Sequence, residues 1–159
     1  MTVTVRPAAV SDADAVAALA GEFSEFIHAL GGTMTSEFSA EAYVRDGFGA
    51  HPAFFALVAE QDATVVSYMI YHYGYDVDTA ARTLTISDLF VTESTRGQGA
   101  GKALMMGAKQ VCRDNDIREM AWSVFKWNPS AHPFYERLGA KYVTDEDFIV
   151  LEVDGGEGG

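Results

Sequence analysis

The chain has 159 residues, enough for one domain with a continuous core. Apolar residues make up 48% and charged residues 21%, a globular balance, and no apolar run approaches the roughly 20 residues that span a bilayer. With 11 basic against 23 acidic residues, the net charge of −12 gives no basic face for phosphates, so neither nucleic acid nor membrane is an expected partner. The acidic surface serves solubility or attracts a cationic substrate. Met1–Pro7 lacks the basic and apolar regions of a signal peptide, and the lone Cys112 has no internal disulfide partner. The expected location is cytoplasmic.

Val3–Val5 alternates as a first strand. Ser11 is the expected opening of a helix, with Asp14 three positions on as a capping box. Val16, Leu19, Ala20, Phe23, Phe26, Ile27 and Leu30 then recur at helical spacing, and Gly31-Gly32 ends the helix. Ser39 has the chemistry of an N-cap for a short helix to Asp46, stopped by Gly47. Phe54–Glu60 and Thr64–Tyr73 are apolar and β-branched, and Gln61-Asp62-Ala63 joins them as a hairpin. Gly74–Ala81 is expected as a loop, and Arg82–Val91 as the next strand. After a polar Thr92–Thr95 link and a glycine-rich turn, a helix is predicted over Ala100–Asp114, with Ala100, Leu104, Gly107, Ala108, Val111 and Cys112 as its buried stripe. Glu119–Phe125 is predicted as a strand. Asn128-Pro129-Ser130 opens a final helix that ends at Leu138-Gly139. Lys141–Val143 and Phe148–Val153 are the expected closing strands. One α/β (α+β) domain over residues 1–153 follows, with a Gly-rich tail, residues 154–159, expected to be disordered.

The segment Arg96-Gly97-Gln98-Gly99-Ala100-Gly101-Lys102 lies between a strand and a helix. Glycines let a backbone approach a ligand closely, and the first amides of a helix have no internal partners. With the helix dipole they form a site for an anion such as a pyrophosphate, to which Arg96 and Lys102 add charge. The same glycines also suit a merely tight loop. The segment is neither a Walker A loop nor a Rossmann fingerprint, since it lacks the spacing of the first and the acidic ribose ligand of the second. His28, His51, His72 and His132 show no metal-ligand spacing, so no metal is expected.

Arg96–Gly101 resembles the R-x-x-G-x-G/A signature of the GNAT acetyltransferases, and it follows a strand ending in Asp88-Leu89-Phe90-Val91, as in that family. Further on, Trp127-Asn128, Ala131 and Phe134-Tyr135-Glu136-Arg137-Leu138-Gly139-Ala140 resemble the family's other motif. Asp46–Pro52, Leu57–Glu60 and Tyr75-Asp76 are similar to the diamine (spermidine/spermine) acetyltransferase-like branch. The resemblance implies a GNAT fold: a central mixed, strongly twisted β-sheet of about 6–7 strands, flanked by about four helices. In that fold two parallel strands, here Thr83–Val91 and Glu119–Phe125, splay apart and admit the pantetheine arm of acetyl-CoA.

For acetyl-CoA the resemblance assigns the backbone of Leu89, Phe90 and Val91 to the pantetheine. It assigns Arg96, Gly97, Gln98, Gly99, Ala100, Gly101 and Lys102 to the pyrophosphate. Asn128, Ser130, Ala131 and Tyr135 at the last helix complete the cofactor contacts. Tyr135 is also the implied general acid toward the CoA sulfur; its neighbours Phe134 and Leu138 equally suit a packed core residue. Asp88 either meets the substrate amine or an ordered water, or makes a structural hydrogen bond. The resemblance also implies a homodimer.

The departures bear on the acceptor. Diamine acetyltransferases place glutamates around the polyamine. This chain has Ser87 before Asp88, Lys126 before Trp127-Asn128, and Phe26-Ile27-His28 at the first helix; only Asp145-Glu146-Asp147 is retained. Each lost pair weakens polycation binding by on the order of 1 kcal/mol. The expected acceptor is therefore a small primary amine, diamine or amino-acid-like, contacted by Ser87, Asp88, Lys126 and Glu146. A protein or peptide N-acetyltransferase and a non-catalytic acyl-CoA sensor are the competing expectations.

Overall fold

The computed structural model describes residues 2–153. The tail expected to be disordered, residues 154–159, lies outside the described residues. The chain divides into a unit of Met1–Ser123 and a unit of Val124–Gly159.

In the first unit, five strands form one sheet in sequence order: β1 (Val3–Pro7), β2 (Phe55–Gln61), β3 (Thr64–Asp76), β4 (Ala81–Val91) and β5 (Glu119–Trp122). Neighbours pair antiparallel, except that β4 and β5 run parallel. The helices of this unit are α1 (Ala13–Ala29), α2 (Ala40–Gly47) and α3 (Ala100–Asp114); α4 (Ala131–Arg137) belongs to the second. Among the described residues this gives the four α-helices that the resemblance implies and five strands, fewer than the six or seven expected.

Strand pairing explains most local differences. The expected loop at Gly74–Ala81 is shorter, because Gly74, Tyr75 and Asp76 pair with Thr83, Arg82 and Ala81. The Asp76 carboxylate closes the turn by accepting from Asp78 N and the Thr79 hydroxyl. Asp62 and Ala63, both at positive φ, form the two-residue turn of the β2–β3 hairpin. β5 ends at Trp122, not Phe125. Neither Lys141–Val143 nor Phe148–Val153 is a strand. Their β-branched composition is a local signal, whereas a strand needs a neighbour for its backbone groups, and no ladder forms among the described residues beyond Trp122.

The two sheet faces carry different helices. α3 packs on β1–β4. A Cβ on Gly107 would stand 2.9 Å from Val5 and 3.3 Å from Leu57, so this glycine permits the close approach. The predicted span of α3 holds, with Met105 joining Leu104, Ala108 and Cys112 as buried residues. α1 packs on β3 and β4. Its Val16, Leu19 and Ala20 meet Tyr43 of α2 and Ala56, Val58, Tyr68, Ile70 and Phe90 of the sheet. The expected cap at Ser39 is present, accepting from Ala42 N at 3.1 Å.

Ser11 does not cap α1. Asp12 is the N-cap residue, yet its side chain makes no bond to the helix; it accepts instead from Ala9 N at 2.7 Å and from both Arg6 η nitrogens at 2.7 and 2.8 Å. Arg6 also bonds Glu60, so one guanidinium ties β1, the entry to α1 and β2 together. The Arg6 hydrogen bonds hold the Asp12 carboxyl below the usual carboxylate range. A carboxyl with a depressed folded-state pKa stabilises the fold above its unfolded value of about 3.9, and that contribution disappears as pH falls through the folded value. Wild-type thermal stability is therefore expected to drop on acidification below about pH 4 more steeply than that of Asp12→Asn. At neutral pH that variant is expected to lose about 1–3 kcal/mol. Parallel pH–melting curves check both.

Candidate active site

The first part of the site is a bulge in β4. Asp88 pairs with Ile70 and Ile86 with Tyr71, leaving Ser87 as an extra residue. A bulge changes which face the following residues occupy. Leu84 and Ile86 pair with Tyr73 and Tyr71 on the α3 face, whereas Asp88 and Phe90 pair with Ile70 and Tyr68 on the α1–α2 face.

Asp88 is thereby set beside a buried phenol. Tyr68 Oη donates to Asp88 Oδ2 at 2.6 Å. Burial raises the Asp88 pKa, while the bonds from Tyr68 and the Leu89 amide oppose that rise. The Tyr68 hydroxyl is pushed far up by burial and by Asp88. Next to this pair, Ser87 Oγ lies 3.1 Å from His72 Nδ1 at the surface. Sequence reasoning did not bring Tyr68 to Asp88 or His72 to Ser87, since neither contact follows from spacing along the chain.

The second part is an open strand edge. β4 pairs with β5 only from Thr83↔Glu119 to Ile86↔Trp122. Beyond that point Leu89, Phe90 and Val91 pair with Met69, Tyr68 and Ser67 of β3 on one side and, among the described residues, with no strand on the other. Backbone donors and acceptors along such an edge suit an extended, amide-containing ligand.

The third part is the turn that follows. Gly97 and Gly99 have φ of 77° and 98°, and Gly99 is the N-cap of α3. The first helical bond runs from Ala103 N to Gly99 O, so the amides of Ala100, Gly101 and Lys102 have no acceptor inside the helix. Gln98 braces the turn, donating to Ser94 O at 3.2 Å and accepting from Gln61 Nε2 at 2.9 Å. Lys102 is exposed. The Arg96 guanidinium lies 4.4 Å from the Phe26 ring centroid and 5.2 Å from that of Phe90, and its Nε donates to Val91 O at 3.1 Å. Phe26 therefore supports the arginine.

The second unit holds the remaining predicted residues. Phe125 and Trp127 stack with centroids 4.8 Å apart. Asn128 is buried, and its Oδ1 accepts from Ser130 N at 3.3 Å and Ser130 Oγ at 3.1 Å, a turn that leads into Ala131 and α4. Tyr135 is half-buried on α4 beside Phe134, ring centroids 5.1 Å apart. His132 Nε2 lies 2.9 Å from Phe125 O, which only accepts, so Nε2 carries a hydrogen; Nδ1 lies 2.7 Å from Tyr142 Oη, which also donates to Glu136 Oε1 at 3.3 Å. Lys126 and Glu146 are exposed.

A separate depression of about 350 Å³ is lined by Tyr73, Gly74, Tyr75, Arg82, Asn115 and Ile117. It sits at the opposite end of β3 and β4 from the glycine turn. Cys112 is buried on α3, and its thiol pKa is raised by burial, as suits a core residue. Among the described residues no three His, Cys, Asp or Glu side chains group as metal ligands, and no helix is long and apolar enough to cross a membrane.

The chain is 29% identical over 154 residues to thialysine N-epsilon-acetyltransferase of Sus scrofa, covering 92% of this chain and 88% of the relative. It is 28% identical over 118 residues to spermidine/spermine N(1)-acetyltransferase-like protein 1 of Homo sapiens, covering 70% of this chain and 17% of that longer protein. In fold it is similar to an integron cassette protein from the mobile metagenome of V. cholerae, with a TM-score of 0.76, 23% identity and coverage of 98% and 95%. Residues 23–140 match the acetyltransferase (GNAT) family model; the chain belongs to that family and is an acetyl-transferring enzyme.

Proposed function

We propose that the chain transfers the acetyl group of acetyl-CoA to a primary amine of a small molecule by direct attack. The observation that carries this is the continuity of the open β4 edge at Leu89–Val91 with the glycine turn and the N-terminal amides of α3. The donor set fits the two chemically distinct parts of CoA: strand-edge amides and carbonyls suit the amide-containing arm, and helix amides with Arg96 and Lys102 suit the pyrophosphate. Asn128, Ser130, Ala131 and Tyr135 supply the remaining cofactor contacts, with Tyr135 as the acid that protonates the departing sulfur. A backbone amide at the end of β4 polarises the thioester carbonyl.

The acceptor is a compact amine, diamine or amino-acid-like, met by Ser87, Asp88, Lys126 and Glu146. Ser87, Lys126 and the Phe26-Ile27-His28 stretch supply no carboxylate where a polycation site is expected to have glutamates. The name of the pig relative, which acts on an amino-acid amine, agrees with this. The enzyme works in the cytoplasm as a homodimer; Phe148 and Leu151, 93% and 88% exposed in the isolated chain, supply apolar area for a second copy.

Turnover of thialysine, lysine, putrescine, spermidine and short peptides, followed by release of CoA thiol, tests the acceptor class. The expected result is a higher kcat/KM for an amino-acid amine or short diamine than for spermidine or any peptide. A clear preference for spermidine overturns the compact-amine assignment, and a preference for peptides overturns the small-molecule one.

A further inference from the structure

We propose that His72, held by Ser87 on the β4 bulge, takes the proton from the acceptor amine; this deepens the small-amine function above and rests on it. An alkylamine reaches a neutral-pH enzyme as an ammonium ion, with a pKa of about 10, and has no lone pair for attack. A group near the bulge must remove that proton.

Asp88 is poorly placed for this. One of its oxygens receives the Tyr68 hydroxyl at 2.6 Å, and the Leu89 amide also donates to the carboxylate. A carboxylate whose acceptor capacity is committed to fixed donors positions the strand more readily than it collects protons. Ser87 is no base by itself.

His72 has the free chemistry. It follows Ile70 on the same face of β3, because side chains two apart in a strand share a face. The bulge turns Ser87 toward that face, where Oγ and His72 Nδ1 lie 3.1 Å apart. In the tautomer whose Nδ1–H donates to Ser87, Nε2 carries the lone pair. The ring is exposed, and the strand beneath it is held by β4 through His72↔Thr85, one residue past the end of its pairing with β2 at Tyr71. The imidazole is thus fixed at one nitrogen and open at the other, beside the β4 bulge that precedes the Leu89–Val91 edge.

Other ionisable groups on the packed elements have identified places. β4 supplies Asp88, bonded to Tyr68. β2 opens at Phe55 opposite Tyr71 and carries one charge, Glu60, which bonds Arg6. α1 carries Glu22, which accepts from the Thr92 hydroxyl and the Glu93 amide, and also Asp14, Glu25 and His28. α2 carries Glu41 and the mutually paired Arg45 and Asp46. At the far end of β3, Asp76 bonds Thr79.

The step balances. The ammonium N–H bond breaks and its proton goes to His72 Nε2. The amine lone pair forms the C–N bond and the C–S bond breaks. As the sulfur leaves it takes the proton of Tyr135, and the second proton of the nitrogen passes through solvent to restore the Tyr135 hydroxyl. His72 then releases its proton to solvent, so the products are the acetamide, CoA thiol and one proton.

His72→Gln keeps a hydrogen-bonding partner for Ser87 but has no basic nitrogen. It is expected to lower kcat/KM for the amine about 10²-fold at neutral pH while leaving acetyl-CoA affinity unchanged. The deficit should shrink as pH rises toward the amine's own pKa, where neutral amine is supplied by solution. Ser87→Ala should show a smaller loss with the same pH trend. A His72→Gln enzyme with wild-type kcat/KM and an unaltered pH profile overturns the role of His72, and if Asp88→Asn then produces the shifted profile the base is Asp88. Wild-type protein inactive on every primary amine overturns the small-amine function and this step with it, whereas an active wild type with an unaffected His72→Gln removes only this step.

Discussion

Replacing Tyr135 by Phe is expected to lower kcat by about 10²-fold or more, with little change in folding stability or in acetyl-CoA affinity. The substitution removes one oxygen and keeps the ring that packs beside Phe134 on α4. Collapse of the tetrahedral adduct places negative charge on sulfur, and a phenol at hydrogen-bond distance donates its proton as that charge grows. Without the hydroxyl the sulfur leaves as an unprotonated thiolate, a poorer leaving group. An alanine substitution would confuse this with lost packing, because the ring is half-buried. Steady-state kinetics with Tyr135→Phe, beside its melting curve, separate the roles. An unchanged kcat would make Tyr135 a packing residue.

The largest expected loss of stability is at Tyr43. Its side chain is fully buried in the α1–α2 core, with the rings of Phe48, Phe54 and Phe38 at centroid distances of 4.9, 6.1 and 6.3 Å. Its hydroxyl donates to Ala9 O at 2.9 Å, and burial pushes its pKa up to about 12. Tyr43→Ala removes the ring from a packed aromatic cluster and leaves the Ala9 carbonyl without that donor, at a cost of about 3–5 kcal/mol. Tyr43→Phe deletes the hydroxyl alone and is expected to cost about 1 kcal/mol. Denaturant unfolding of the two variants gives the ring and hydroxyl contributions separately. Equal losses would mean that the hydrogen bond, not the aromatic packing, holds α2 to the sheet.

The legible parts of the sequence are those whose physics is local. Helix α3 has strong 3.6-residue periodicity bounded by Gly99 and Asn115, and its span agrees with the prediction. Ser39 announces its cap because the hydroxyl bonds an amide three residues on. The glycines at 97 and 99 announce a turn that β-carbons would strain. Misreadings arose where a distant partner decides the outcome. Asp12 takes the N-cap position of α1 in place of Ser11, its carboxylate held by Arg6 and the Ala9 amide, not by the helix. β3 and β4 extend past Gly74 because each completes the other's ladder. Lys141–Val143 and Phe148–Val153 have strand composition without a strand neighbour. The site divides in the same way. Ser87, Asp88 and Arg96 are visible as a motif, but Tyr68 and His72 meet that motif only through cross-strand register and a bulge. The Phe26 ring beneath Arg96 likewise depends on how α1 lies against β4.

The most direct test is to incubate purified protein with acetyl-CoA and thialysine and to quantify free CoA thiol and N-acetylated amine together. Direct transfer predicts that the two appear in equal amounts, at a rate that depends on the amine. Thiol released without acetylated amine, or no release with any primary amine while acetyl-CoA remains bound, would contradict it.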